Sequence, residues 1–335
     1  MKEHEIRPPD LFERYLELSR QDAEVFFSDP TEFESLPCPG CGGEQVEHAF
    51  TKAAFHYVEC VGCGSLFVSP RPSREALGAF YADSLSATYW AESFWPTVVE
   101  ARREKVFVPR VEYIAALCNR RSFQPRCVID VGAGYGIFLE EVKKRFPSAT
   151  VRAVEPGRKL AEVCRRRGLE TMEAPVEEAA AWNGTADLVT CFEVIEHVHT
   201  PADFIRAMFA LAKPGGYVLV TALGVEGFDI QVLWERSKSV APPHHLNFLS
   251  VAGFERLFSR LGFVEIEVMT PGKLDLDIVR NEWFADPSVL NGDRFVRLLL
   301  RKRDPAVHEE FQKFLAKNHL SSHVRVLGRK PVESV

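Results

Sequence analysis

No apolar run in the chain approaches the ~18 residues needed to cross a bilayer, which excludes a helical membrane span. The charged, proline-containing N-terminus also lacks the apolar centre of a signal peptide. A cytoplasmic location without a membrane partner is expected. No internal repeat or low-complexity tract is evident. Positive charge is in short supply, with 41 Lys and Arg against 47 Asp and Glu and a net charge of -6. That balance disfavours a dedicated nucleic-acid binder. What is present is 335 residues with a 46% hydrophobic fraction, enough for one sizeable α/β domain and a small accessory module.

The most informative stretch is Val128-Ile129-Asp130-Val131-Gly132-Ala133-Gly134-Tyr135-Gly136, followed by the helical pattern Ile137 to Lys144. A β-branched run ending in three alternate glycines must turn sharply and bring bare backbone close to a ligand. Glycine spacing alone does not separate a dinucleotide from S-adenosylmethionine (SAM). Val151-Arg152-Ala153-Val154-Glu155 reads as the next strand. Its terminal acid comes about twenty residues past the glycines, where a carboxylate can accept ribose hydroxyls. Ala186 to Val198 then gives a strand and its loop, and Leu211 to Val220 a turn and another strand. No phosphate-binding lysine follows the glycines.

Together D-V-G-A-G-Y-G, V-E-P, C-F-E-V-I-E-H-V and L-A-K-P-G-G-Y resemble a class I SAM-dependent methyltransferase, in the right order over about two hundred residues. The resemblance implies a seven-stranded Rossmann-like α/β sheet. It also implies that Asp130 and the backbone of Gly132, Ala133 and Gly134 hold the methionine end of SAM, that Glu155 is the ribose-binding acid, that Tyr135 and Pro156 also belong to the cofactor site, and that Phe192 and Glu193 line the site opposite the methyl group. Methyltransferases of this fold that act on amines usually carry Asn or Asp-Pro-Pro-Tyr or Phe where this chain has Cys191-Phe192-Glu193-Val194, so an exocyclic amine is disfavoured.

Residues 1–37 read as an N-terminal helical segment, with Leu11, Phe12, Tyr15 and Leu16 at helical spacing. Cys38-Pro39-Gly40-Cys41 and Cys60-Val61-Gly62-Cys63 follow, eighteen residues apart. Two C-x-x-C knuckles at this distance define a zinc ribbon over 38–72. Disulfides or a redox pair are the alternatives, and neither an export signal nor a thioredoxin-like context accompanies them. Four thiolates fill a tetrahedron, so the Zn2+ is expected to be structural.

Residues 73–124 read as a helical connector rich in aromatics, either core or a lid closing on the site, with Tyr81 and Tyr89 carrying hydroxyls that reach the chemistry. The methyltransferase domain is expected over 125–335, with a helical insertion at about 271–320 and a final strand at His323 to Gly328 lying at the sheet edge.

SAM carries an activated methyl group, so the protein must align a nucleophile and manage one proton. In Pro242-Pro243-His244-His245-Leu246-Asn247-Phe248-Leu249-Ser250, His245 resembles the base of small-molecule methyltransferases, with His244 beside it. The zinc-ribbon sugar C-methyltransferases have a segment similar to Y-H-E-H-F-S-Y-F-S. Here His244 replaces the glutamate, which puts transfer to carbon in doubt and makes a hydroxyl, with carbon second, the expected acceptor atom. The plain alternative is that the two histidines only cap the following helix. The expected acceptor is a small molecule, a nucleotide-activated sugar or related precursor. Rival readings are an RNA methyltransferase gripping nucleic acid with its ribbon, and a non-catalytic SAM-binding scaffold.

Overall fold

β-branched runs punctuated by glycine turns fold as strands alternating with helices through the middle of the chain. The computed structural model describes residues 1–332. A helix at Pro9–Phe26 leads into β1 (Val46–Lys52), β2 (Phe55–Cys60) and β3 (Leu66–Val68). Helices follow at Arg74–Asp83, Leu85–Tyr89, Trp95–Arg102 and Val108–Arg120. Next come β4 (Cys127–Val131), helix Ile137–Arg145, β5 (Thr150–Val154), helix Arg158–Arg166, β6 (Glu170–Met172), β7 (Ala186–Phe192), helix Pro201–Leu211 and β8 (Ala212–Leu223). The last part holds β9 (Asn247–Phe248), helix Val251–Arg260, β10 (Val264–Met269), helices Asp275–Ala285, Arg294–Lys302 and Pro305–Lys317, and β11 (His323–Arg329). Among the described residues no helix is long and apolar enough to cross a membrane.

Two compact units emerge. One comprises Met1–Tyr89, Ala222–Arg256 and Val268–Arg325; the other comprises Trp90–Thr221, Leu257–Glu267 and the chain from Val326. The insertion at 271–320 thus falls with the N-terminal residues.

The seven-stranded sheet has the order β10-β11-β8-β7-β4-β5-β6. From β8 to β6 each neighbouring pair is parallel. Parallel strands covered by crossover helices are buried on both faces, and β7 is buried from Ala186 through Cys191. From β4 the chain winds outward through β5 and β6, then returns to the other side of β4 with β7. That reversal leaves a crevice at the carboxyl ends of β4 and β7, where α/β sheets bind ligands.

The final strand corrects one expectation, because β11 lies inside the sheet and β10 forms the edge. Side-chain character explains this. Val324, Val326 and Leu327 are buried, whereas β10 exposes Val264 and carries Glu265 and Glu267, which pair with Arg121, Arg120 and Arg329. Charges of this kind keep an edge from recruiting further strands.

In the other unit β1, β2, β3 and β9 make a four-stranded sheet. Its core includes edge-to-face rings, with Phe27 and Phe55 at 5.6 Å and Phe26 and Phe80 at 5.7 Å. The helices of 275–317 enclose a second core around Val279, Trp283, Leu290 and Leu299.

Beside that core, Asp275 accepts hydrogen bonds from Ser321 Oγ (2.5 Å), Gln312 Nε2 (2.7 Å) and the Ser322 N–H (2.7 Å). Asp229 is fully buried next to it. Burial, and then the Asp275 charge, push the Asp229 carboxyl up to about 8. The folded chain therefore keeps a proton that the unfolded chain releases near pH 4. Stability from this site is intact below about pH 4 and falls as pH rises from about 4 to about 8, by at most about 1.4 kcal/mol per pH unit. Asp229→Asn removes the titration. Thermal melts should show the variant gaining on the native protein between pH 5 and pH 8; a constant difference across that range would refute the buried proton.

Candidate functional site

The turn after β4 has left-handed backbone at Gly132 (φ 71°), Gly134 (φ 54°) and Gly136 (φ 72°), a conformation that costs glycine little. Space is limiting as well. A Cβ on Gly132 would lie 2.6 Å from Val194 and one on Gly136 2.5 Å from Leu169, whereas one on Gly134 would meet nothing within 4 Å. The Gly132 and Ala133 N–H groups donate to the Val154 carbonyl (2.9 and 3.3 Å). Gly136 then opens helix Ile137–Arg145, whose N-terminus carries partial positive charge.

Glu155, just past β5, is buried. Its Oε2 accepts from the Gly134 N–H (2.8 Å) and its Oε1 from the Gly157 N–H (2.9 Å). Burial raises its pKa while those two N–H groups lower it. Each carboxylate oxygen keeps a second lone pair, so the group can tie two loops and still accept from a pair of ribose hydroxyls. Pro156 beside it is exposed. Asp130 is buried on β4 and accepts from Thr190 Oγ1 at 2.6 Å. Burial pushes its carboxyl up to about 7, against the Thr190 hydrogen bond and the charge of Arg110.

At the end of β7, Glu193 is a non-glycine residue with φ 55°, strain of a kind that clusters at functional sites. Its Oε1 accepts from Thr221 Oγ1 (2.6 Å) and Arg110 (2.9 Å). The Arg110 guanidinium also lies 4.4 Å from the centre of the Phe192 ring, and Phe192 packs edge-to-face on Phe138 at 4.7 Å. The sequence reading missed Arg110 as a site residue. It stands among the basic residues of the connector, and no spacing marks it as aimed at the ends of β4 and β7.

The aromatic connector is mostly packed. Phe80 and Phe94 are fully buried, and Trp95 stacks on Tyr135 at 5.7 Å. The Tyr135 hydroxyl donates to the Ala91 carbonyl. Tyr89 closes a short helix and is half-buried, in the unit that ends with it. Tyr81 donates from its hydroxyl to the His244 carbonyl at 3.3 Å.

The two histidines, also in that unit, have different surroundings. His244 is 3% exposed. Its ring sits 4.8 Å from Phe80 and 5.1 Å from Tyr15, and its Nε2 is 2.9 Å from Ser86 Oγ. An imidazole so enclosed contributes to the packing of this unit. His245 is half-buried, with Nδ1 2.5 Å from the Ser239 carbonyl. A carbonyl only accepts, so Nδ1 carries the proton and Nε2 is the basic nitrogen.

Cys38, Cys41, Cys60 and Cys63 bring their Sγ atoms within 4.8 Å of one another. The Cys38–Cys63 and Cys41–Cys60 distances are 3.5 and 3.4 Å, close to the edge of about 3.8 Å in a tetrahedron with sulfur 2.3 Å from zinc. The Gly43 N–H points at Cys41 Sγ (3.4 Å), as a thiolate wants. The residues fit a metal ion.

A parallel sheet with a glycine turn at its switch point and an acid at the end of the next strand defines the class I methyltransferase fold. Residues 100–268 match the family described as a methyltransferase domain, and the chain belongs to that family; SAM is the methyl donor that this fold binds. The chain is 43% identical over 103 residues to the ubiquinone biosynthesis O-methyltransferase of Vibrio parahaemolyticus, covering 29% of this chain and 43% of the relative. It is 39% identical over 121 residues to that of Bordetella avium, covering 34% and 48%. In these matches the chain spans about half the length of the curated relatives. A longer match, 28% identical over 238 residues, covers 67% of this chain and 92% of the protein of that name from Albidiferax ferrireducens. Among solved structures, the plantazolicin methyltransferase BamL, in complex with a triazolic desmethylPZN analogue and SAH, superposes with TM-score 0.51 at 10% identity, covering 77% of this chain and 95% of its own. That likeness is one of fold.

These names correct the expectation of a nucleotide-activated sugar as acceptor, and they stand equally against the RNA-directed reading. The relatives are named for O-methylation in quinone synthesis, a chemistry that the histidine segment and the ribbon spacing do not encode.

Glu155→Gln tests the acid at the turn. An amide offers one acceptor oxygen, so its NH2 must face either the Gly134 or the Gly157 N–H. SAH affinity by calorimetry should fall more than tenfold with the fold intact; unchanged affinity would remove Glu155 from the cofactor site.

Proposed function

We propose that this protein transfers a methyl group from SAM to a hydroxyl of a quinone-type aromatic precursor, and that its four cysteines hold a structural zinc ion. The observation that carries the acceptor class is the set of relatives named as ubiquinone biosynthesis O-methyltransferases. O-methylation consumes an O–H bond, and a quinone carbonyl has none, so the acceptor is a hydroxylated ring. SAM supplies a methyl group on a sulfonium centre.

The roles of the chain's own residues follow from their environments. Glu155 holds the ribose, and Asp130 with the Gly132–Gly134 backbone holds the methionine end, with Tyr135 beside the turn. Arg110, paired with Glu193 over Phe192, offers a cation to the carboxylate of the donor's methionine portion. A phenolic hydroxyl has a pKa near 10, so its oxygen gains nucleophilicity near neutral pH when a base takes the proton. His245 is assigned that role. Its Nδ1–H is directed at the Ser239 carbonyl, so Nε2 receives the proton as the new O–C bond forms.

The test is methyl transfer from labelled SAM to a panel of ring-hydroxylated quinone precursors. Label in these acceptors is expected, and its absence from all of them while SAH still binds would overturn the acceptor class. With an accepted substrate, His245→Ala should lower kcat by about 10²- to 10⁴-fold with SAH affinity unchanged. Turnover within twofold of native would dismiss His245 as base.

For the metal, elemental analysis should find one zinc per native chain and a substoichiometric amount in Cys60→Ser, whose N-terminal unit should also melt earlier. A metal-free native chain would end the zinc assignment.

A further inference from the structure

We infer that the four-cysteine cluster sets the position of the histidine segment, with Ser65 and Ser250 as positioning residues between them. The inference rests on the zinc and His245 assignments above. β9 begins two residues after His245 and pairs antiparallel with β3, Leu66 opposite Phe248 and Phe67 opposite Asn247. On the same segment Tyr57 donates from its hydroxyl to the His245 carbonyl (2.6 Å) and the Val68 N–H to the Leu246 carbonyl (2.9 Å). The backbone at His245 is therefore held by β2 and β3, the strands that flank the second cysteine knuckle.

A buried relay closes this arrangement. Ser65 Oγ lies 3.2 Å from Cys63 Sγ and accepts from the Ser250 N–H at 3.1 Å. Ser250 Oγ donates to the Cys63 carbonyl (2.5 Å) and accepts from the Gly253 N–H (2.9 Å), which caps helix Val251–Arg260. Both serines are 1% exposed or less, so each lost partner leaves a polar group without water to replace it. Arg256 adds a second tie, donating to the Gly62 carbonyl at 2.7 Å.

The close approach is specific to glycine at both faces. A Cβ on Gly253 would sit 2.2 Å from Ser65 Oγ, and one on Gly40 would sit 2.8 Å from Gly253 Cα. A knuckle that only had to fold by itself would need neither glycine 253 nor the serine pair. Losing the metal frees four thiolates to separate, which shifts the Cys63 carbonyl and Ser65 and releases β9. Turnover is thus metal-dependent although the metal has no open position for substrate.

The experiment compares the full chain with and without a zinc chelator, reading zinc content, hydrogen–deuterium exchange, SAH affinity and kcat together. Chelation should raise exchange at Leu246 to Ser250 at least tenfold and lower kcat at least tenfold, with SAH affinity within twofold of native. Ser250→Ala should reproduce the faster exchange and lower kcat while keeping its zinc, and Ser250→Thr, which retains the hydroxyl, should recover most of both. If Ser250→Ala does not fold, the chelated native chain carries the comparison. Unchanged exchange at Leu246 to Ser250 after verified zinc loss overturns the coupling alone. A chain that never held zinc overturns the coupling together with the zinc assignment, and high exchange with native kcat overturns it through His245.

Discussion

The Glu155 carboxylate is the constraint on which the cofactor crevice depends. One oxygen takes the Gly134 N–H of the turn after β4 and the other the Gly157 N–H of the turn after β5. Both turns begin helices, so a single acid ties together two helix starts that would otherwise be free to splay. An ionised acceptor bound to two N–H donors is also one of the stronger hydrogen-bonding arrangements open to a protein. Burial works against the charge, and the two donors offset that cost. In the role proposed for Glu155, a bound ribose would add further donors to the same oxygens.

The crevice was legible in the sequence because its parts are local. Left-handed glycines announce themselves by alternate spacing, and the acid follows at the distance set by one helix and one strand. Arg110 was not legible. It arrives from a helix before β4 and reaches Glu193 across 83 positions of chain, a pairing that no periodicity records. The edge strand shows the opposite case. Its glutamates at positions 265 and 267 spell an exposed strand, but β11, which inserts beside it, comes more than fifty residues later, and the order of the two is decided by burial of Val324, Val326 and Leu327.

Adjacent histidines show where pattern reading stops. His244 and His245 have the same intrinsic chemistry, and they leave in different directions from a turn that the His245 N–H closes on the Ala241 carbonyl at 3.0 Å. One therefore enters an aromatic nest of Tyr15, Phe80 and Tyr81, while the other has its Nδ1 at the Ser239 carbonyl. Which is which depends on residues from three distant segments. The acceptor is still less legible, because its class rests on likeness to named relatives and not on any side-chain spacing.

Asp130 and Glu193 extend the electrostatic argument beyond Glu155. Both acids stand at the strand ends, and Arg110 is the cation near them: it lowers the Asp130 pKa and pairs with Glu193. Thr190 and Thr221 supply neutral donors to the same two carboxyls. A second cation in place of either threonine would bias the site towards anionic ligands. One arginine shared between two acids instead leaves the strand ends slightly negative, which suits a donor whose reacting centre is a sulfonium. Glu193 carries this pairing on left-handed backbone, with its carboxylate held by Arg110 and by the Thr221 hydroxyl on the neighbouring strand.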